Sequence, residues 1–257
     1  MKATTWVLDL DGVIWLGDEP VAGSPEAVRR LQELGHRIVF LTNNSAPRRG
    51  ELVAKLVGLG IEVDADDVVT SAYAAAGLLT PGSVALVCGS AGIVEALEQR
   101  GVTPVRDGDA DAVVVGFHRD FDYDRLTAAF RAVHRGARLI ATNDDPTYPT
   151  PDGPVPGGGS ILAAVATAAG VKPEVAGKPY APMAVAVLAR LGPLSDGECL
   201  LVGDRPSTDG GMARRLGARF GLVLSGVAED EAPEAADLVK PDLVAPDLAR
   251  IVAQETA

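Results

Sequence analysis

The chain holds two cysteines in 257 residues, no run near the roughly 18 consecutive apolar residues of a membrane span, and no excess of positive charge. Each shortage closes a class of function. Cys88 and Cys199 are too few for a disulfide framework, and both sit in apolar stretches (Leu86-Val87-Cys88 and Cys199-Leu200-Leu201), so they read as buried, reduced thiols. Residues 1–20 contain no basic segment leading into an apolar one, so no secretory leader is expected there and the expected location is cytoplasmic. With 35 acidic and 23 basic residues the net charge is −12, which argues against nucleic acid or an anionic membrane surface as partner. An anionic ligand would need local cations to overcome that field. Nucleotide-loop motifs are also missing. Cys88-Gly89-Ser90-Ala91-Gly92 follows a strand but lacks G-x-G-x-x-G, and Gly157-Gly158-Gly159-Ser160 lacks the lysine of a P-loop and reads as a helix cap.

What is present is a globular composition, 47% hydrophobic and 23% charged, with enough length for one large domain or two of ordinary size. Short β-rich runs recur at Thr5–Leu10, Arg37–Leu41, Val84–Cys88, Ala112–Phe117, Arg138–Ala141, Cys199–Val202 and Phe220–Leu224. Most are too apolar to be half-exposed, which predicts parallel strands covered on both faces. Helical patterns lie between them, over Arg48–Leu59, Gly92–Arg100, Tyr123–Arg135, Ser160–Ala169, Pro182–Leu191 and Asp209–Leu216. The first helix has Ser24 as expected N-cap, Pro25 at its first position, Ala27, Val28, Leu31 and Leu34 on one face, and Gly35 as its stop. The expected fold is α/β, a doubly wound parallel sheet.

Residues 144–159 break the rhythm with five prolines and four glycines, and a loop of that length is functional or marks a boundary. Residues 76–174 are expected to form a second α/β unit inserted into the first, leaving a core of 1–75 and 175–257.

Three polar clusters follow three separate apolar strands: Asp9-Leu10-Asp11-Gly12 after Trp6–Leu8, Thr42-Asn43-Asn44-Ser45 after Ile38–Leu41, and Gly203-Asp204-Arg205-Pro206-Ser207-Thr208-Asp209 after Leu200–Val202. In an open α/β sheet the ligand crevice lies at that edge. A buried anion is costly unless paired or metal-bound, so Asp9, the main-chain carbonyl of Asp11, and Asp204 are candidate ligands for Mg²⁺, which prefers oxygen and shares itself with substrate phosphate. Thr42 and the amides after it can donate to phosphate oxygens. Lys178, between Gly177 and Pro179, brings a positive charge.

The order D-L-D-G-V, L-T-N-N-S, G-K-P and G-D-R-x-x-T-D resembles the haloacid dehalogenase superfamily of phosphohydrolases. More narrowly it is similar to the branch containing 4-nitrophenylphosphatases, phosphoglycolate phosphatases and NagD-type nucleotide phosphatases, whose large α/β cap is inserted where residues 76–174 lie here. The stretches A-T-N-D-D-P-T-Y-P and P-G-G-G-S share the likeness. The resemblance implies a Mg²⁺-dependent phosphatase of a small phosphomonoester, with Asp9 as nucleophile forming an aspartyl-phosphate and Asp11 as acid and then base. It implies that Thr42, the Asn43 amide and Lys178 hold the phosphoryl oxygens, that Asp204 binds metal, and that Asp209 orients the metal's waters or Lys178. Asp9, Asp11, Asp204 and Asp209 are thus the expected metal set. In the insert, Asn143 and Asp145 are candidate leaving-group contacts, as is His118, which stands where relatives often carry Asp. Pro206 replaces the usual leucine of the last motif, and Gly210-Gly211 follow Asp209. A homodimer through the cap is implied by resemblance alone. Two other readings fit parts of the pattern: a phospho-accepting receiver module, about half this length, and a catalytically silent scaffold, against which all four carboxylates stand.

Overall fold

The computed structural model describes residues 3–148, 153–195, 197–226 and 239–257, so residues 149–152 of the proline-rich run lie outside it. The strands of its two main sheets are, in chain order, β1 (Thr5–Asp9), β2 (Arg37–Thr42), β3 (Val68–Thr70), β4 (Val84–Cys88), β5 (Thr103–Val105), β6 (Ala112–Val115), β7 (Arg138–Ala141), β8 (Glu174–Val175), β9 (Cys199–Gly203), β10 (Arg219–Val223) and β11 (Leu243–Ala245). One sheet runs β11-β10-β9-β1-β2-β3 and the other β8-β7-β6-β4-β5. Every pairing in both is parallel. The second sheet is built wholly from residues 84–175.

The helices are α1 (Ser24–Glu33), α2 (Arg49–Gly58), α3 (Ser71–Ala76), α4 (Ala91–Gln99), α5 (Tyr123–His134), α6 (Gly158–Ala169), α7 (Ala181–Leu191), α8 (Gly211–Leu216) and α9 (Leu248–Thr256). Side chains alternate across a strand, and here both faces are apolar. On one side of the first sheet Trp6, Leu8, Phe40 and Val202 meet Val28 and Leu31 of α1, Leu56 of α2 and Ile251 of α9. On the other, Val7, Val39 and Leu201 meet Met183 and Val187 of α7 and Met212 of α8. That second layer continues without a break through Ala75 of α3 and Ile93 and Ala96 of α4 to Val87 and Val114 of the second sheet. A separate cluster covers the second sheet's far face, where Cys88, Val113 and Val115 meet Ala132 of α5 and Val165 of α6. Fully burying one such aliphatic side chain contributes about 1.5–3 kcal/mol. Both cysteines are free and buried, and burial pushes each thiol up to about 12.

Several local expectations shift. The N-cap of α1 is Gly23, at φ +80°, and Ser24 is the first helical residue, its Oγ donating to the Val13 carbonyl at 2.7 Å. Pro25 therefore occupies the second helical position. Asp209 does not open a helix: residues Pro206–Gly210 form a wide π-type turn, and α8 starts at Gly211. The edge strands β3, β5, β8 and β11, each two or three residues long, are too short to show a period in the sequence. Among the described residues no helix is long and apolar enough to cross a membrane.

Candidate active site

The C-terminal ends of β1, β2 and β9 lie side by side, since Trp6 to Leu8 pair with Leu200 to Val202 and Asp9 pairs with Leu41. Their polar residues meet there. Lys178 Nζ lies 2.8 Å from Asp9 Oδ1 and 2.6 Å from Asp209 Oδ1, and all three side chains are nearly or wholly buried. Burial lowers the Lys178 pKa, but the Asp209 and Asp9 carboxylates outweigh it and hold the ammonium above its usual range. Burial likewise raises Asp9 well above the usual carboxylate range, with Lys178 acting against it. Asp209 also accepts from the Arg205 amide at 3.0 Å, which fixes the wide turn over the site.

Asp9, Asp204 and Asp209 present carboxylate oxygens within 4.8 Å of one another, all buried. With all three carboxylates ionised, these four side chains would carry two negative charges net of the Lys178 ammonium, which one divalent cation would balance. An all-oxygen donor set suits a hard ion. The backbone gives way to it: Gly12 sits at φ +83°, and a Cβ there would meet Asp204 Oδ2 at 2.4 Å. Only glycine accommodates both the dihedral and the approach.

Asp11 faces another way. Its Oδ1 accepts from the Trp15 indole N–H at 3.2 Å and from the Tyr148 hydroxyl at 3.5 Å. Burial raises its pKa, with the Trp15 hydrogen bond and Lys55 opposing. Burial also raises Tyr148, so its phenol stays protonated and able to donate.

The second sheet's loops close the site from above. Asn43 Nδ2 donates to Asp145 Oδ2 at 3.0 Å and to the Lys178 carbonyl at 3.2 Å, while its Oδ1 accepts from the Lys178 amide at 2.7 Å. Asn143 Nδ2 donates to the Asn43 carbonyl at 2.8 Å, and Ser45 Oγ lies 2.9 Å from Thr142 Oγ1. Burial raises the Asp145 carboxyl, the Asn43 hydrogen bond countering. What remains between these groups is a cavity of about 70 Å³ lined by Asp9, Asp11, Thr42, Asn43, Asn143, Asp145, Lys178 and Asp204, with Asn44, Phe117, Tyr148, Arg205 and Thr208 among its other walls.

A family model for haloacid dehalogenase-like hydrolases matches residues 6–103, and a HAD-hydrolase-like model matches residues 175–251. A sugar-phosphatase of Bacillus subtilis is 37% identical over 228 residues, covering 87% of this chain and 84% of its own. A D-glycerol 3-phosphate phosphatase of Mycobacterium tuberculosis is 38% identical over 86% of this chain, which spans 63% of that protein's length. Among solved structures, a p-nitrophenyl phosphatase from Archaeoglobus fulgidus superposes with a TM-score of 0.88 at 34% identity, over 99% of this chain and 100% of that one. A glycerol phosphate phosphatase from Mycobacterium tuberculosis in complex with magnesium gives 0.87 at 36% identity, over 98% and 76%. The chain belongs to the haloacid dehalogenase-like hydrolases.

Within this hydrolase the structure gathers every expected site residue except His118. That ring is buried outside the cavity lining: Nδ1 lies 3.0 Å from the Gly116 carbonyl and so carries the proton, Nε2 has no hydrogen-bond partner among the described residues, and Phe121 packs edge-on. Burial lowers its pKa. The preceding residue, Phe117, forms the wall instead, stacked on Tyr148 at 5.4 Å between ring centroids. Of the two tasks expected of Asp209, the geometry displays the hold on Lys178. Asp11, expected to reach a metal through its main-chain carbonyl, has its carboxylate outside the acidic group. Tyr148, an aromatic within a polar, proline-rich loop, carried a signal that could have singled it out. Trp15 carried none beyond its place four residues after Asp11.

Proposed function

We propose that this hydrolase is a Mg²⁺-dependent phosphatase that releases phosphate from a small sugar or polyol phosphomonoester through an aspartyl-phosphate on Asp9. The observation that carries the reading is the buried Lys178 ammonium bridging Asp9 and Asp209 beside Asp204, with Asp11 turned to the opposite wall. The magnesium in its Mycobacterium tuberculosis relative and the substrates named for its relatives support it.

Asp9, Asp204 and Asp209 would hold Mg²⁺, whose chemistry there is neutralisation of the phosphoryl oxygens' charge. Lys178 and the Thr42 hydroxyl bind those oxygens and align phosphorus with Asp9, so positioning and electrostatics do most of the catalytic work. An Asp9 carboxylate oxygen attacks in line, the bond from phosphorus to the ester oxygen breaks, and Asp11 gives its proton to the departing alcohol. Burial favours the protonated form that this step needs. Asp11, now a carboxylate, takes a proton from the water that attacks the aspartyl-phosphate, releasing phosphate and restoring both groups. Residues 1–75 and 175–257 serve as catalytic core and residues 76–174 as a cap that shields the intermediate from bulk water, through the Asn43, Asp145 and Asn143 contacts.

The test is Asp9→Asn, assayed for phosphate release from glycerol 3-phosphate and p-nitrophenyl phosphate with and without Mg²⁺. Turnover should vanish while the melting profile stays intact. Mg²⁺-dependent release by that variant would sink the assignment.

A further inference from the structure

The cavity of about 70 Å³ takes a phosphoryl group and little more, being only a few water volumes. The rest of a substrate must sit elsewhere. A second cavity of about 380 Å³ adjoins it, and the two share Asp11, Asn44, Phe117 and Tyr148 as a common wall. A general acid has to lie within hydrogen-bond reach of the departing oxygen, where the phosphoryl and leaving-group parts of a substrate join, and Asp11 stands in that wall.

The larger cavity has its own chemistry. Its aromatic faces are Trp15 on one side and the stacked Phe117 and Tyr148 on another. Its ionic groups besides Asp11 are Asp18, Glu51 and Lys55. Lys55 is already committed: Nζ donates to the Gly17 carbonyl at 2.6 Å and lies 4.2 Å from the centre of the Trp15 ring. Arg119 acts on the Tyr148 hydroxyl from outside the lining. Asp18 and Glu51 outnumber the one cation of the lining, Lys55, which suits hydroxyl donors and repels a second anion, while the Phe117 and Tyr148 rings suit the C–H groups of a polyol or sugar.

We propose that the Trp15–Lys55 cavity seats the leaving group, and that Asp18 and Glu51 within it select uncharged polyol or sugar leaving groups against those bearing a carboxylate or a further phosphate. This rests on the phosphatase reading above and adds the residues that set its specificity. Like-charge juxtaposition in a confined site carries a penalty large enough to read in kinetics.

The experiment compares kcat/KM, with Mg²⁺ present, for glycerol 3-phosphate, 3-phosphoglycerate and methyl phosphate. The first two differ by a carboxylate, and the third has no group long enough to enter the second cavity. The wild type should favour glycerol 3-phosphate over 3-phosphoglycerate by about tenfold or more, equivalent to 1.4 kcal/mol. Asp18→Asn combined with Glu51→Gln should shrink that ratio by about fivefold, chiefly by improving 3-phosphoglycerate. Gln at 51 keeps an acceptor for the Arg48 amide that Glu51 now caps at 2.7 Å, so α2 retains its start. Ala46→Phe, which fills the cavity from a half-buried position, should depress glycerol 3-phosphate about tenfold more than methyl phosphate. A ratio unmoved by the double substitution, a wild-type preference for 3-phosphoglycerate, or equal losses for both substrates in Ala46→Phe would overturn the proposal and leave the phosphatase reading standing. No phosphate release from any of the three would instead remove the phosphatase reading itself.

Discussion

Replacing Lys178 with Met removes an ammonium from among three buried carboxylates while keeping most of the side chain's length. The two contacts, at 2.8 and 2.6 Å, each represent roughly 6 kcal/mol of gross Coulomb attraction at an effective dielectric near 20. Desolvating the charges takes back most of it, so the pair's net worth is far smaller than that sum. Losing one partner is a different matter, because Asp9 and Asp209 stay buried without compensation, and such losses cost about 3–5 kcal/mol. In EDTA the Lys178→Met variant should therefore melt about 6–20 °C below the wild type. Mg²⁺ at about a hundredfold over its Kd should return about 2.7 kcal/mol by binding only the folded state. Turnover with Mg²⁺ restored should still fall about 10²–10³-fold, since one donor to the phosphoryl oxygens is gone. Urea and thermal unfolding in EDTA and then in Mg²⁺, followed by phosphate release, measure all three. A metal-free variant within about 1 kcal/mol of the wild type would refute the claim that Lys178 compensates the acidic group.

Asn43→Ala removes the amide that ties Asp145 to both main-chain groups of Lys178, and the stranded partners should cost about 2–3 kcal/mol in urea unfolding. Glu255 accepts two hydrogen bonds from the Arg219 guanidinium, both at 2.8 Å, and these lower its folded pKa below the ordinary 4.5. A depressed carboxylate contributes stability above its unfolded pKa and loses it as pH falls through the folded one. Glu255→Gln should thus destabilise by about 1–2 kcal/mol at pH 7 and converge with the wild type as pH falls through the depressed folded pKa. Parallel melting curves across that range would reject the pairing as the source.

Alternation and end residues made most of the fold legible. β1, β2 and β9 are apolar on both faces, a pattern that favours a doubly covered parallel strand, and Gly35 or Pro25 mark helix ends through their own dihedral limits. The four carboxylates were legible because each follows such a strand. Ser24 was misplaced by one position because Gly23, with no Cβ, reaches a left-handed dihedral that a sequence pattern does not display. His118 was misplaced for a related reason: the turn after β6 decides which of two neighbours faces the site, and it presents Phe117.

By itself the sequence determined the strand and helix rhythm, the covered parallel sheet and the presence of acid at its open edge. These follow from local sterics and from the burial of apolar side chains, which act through short-range periodicity. Tertiary structure alone decided that Lys178 reaches Asp9 and Asp209, that Asn43 spans to Asp145, and that Trp15 and Tyr148 turn Asp11 away from the acidic group. It also divided the crevice into a phosphoryl cavity and a larger neighbour. Such contacts join residues as far apart in the chain as Asp9 and Lys178. They are set by how two sheets pack through one shared apolar layer, and no spacing along the chain encodes that.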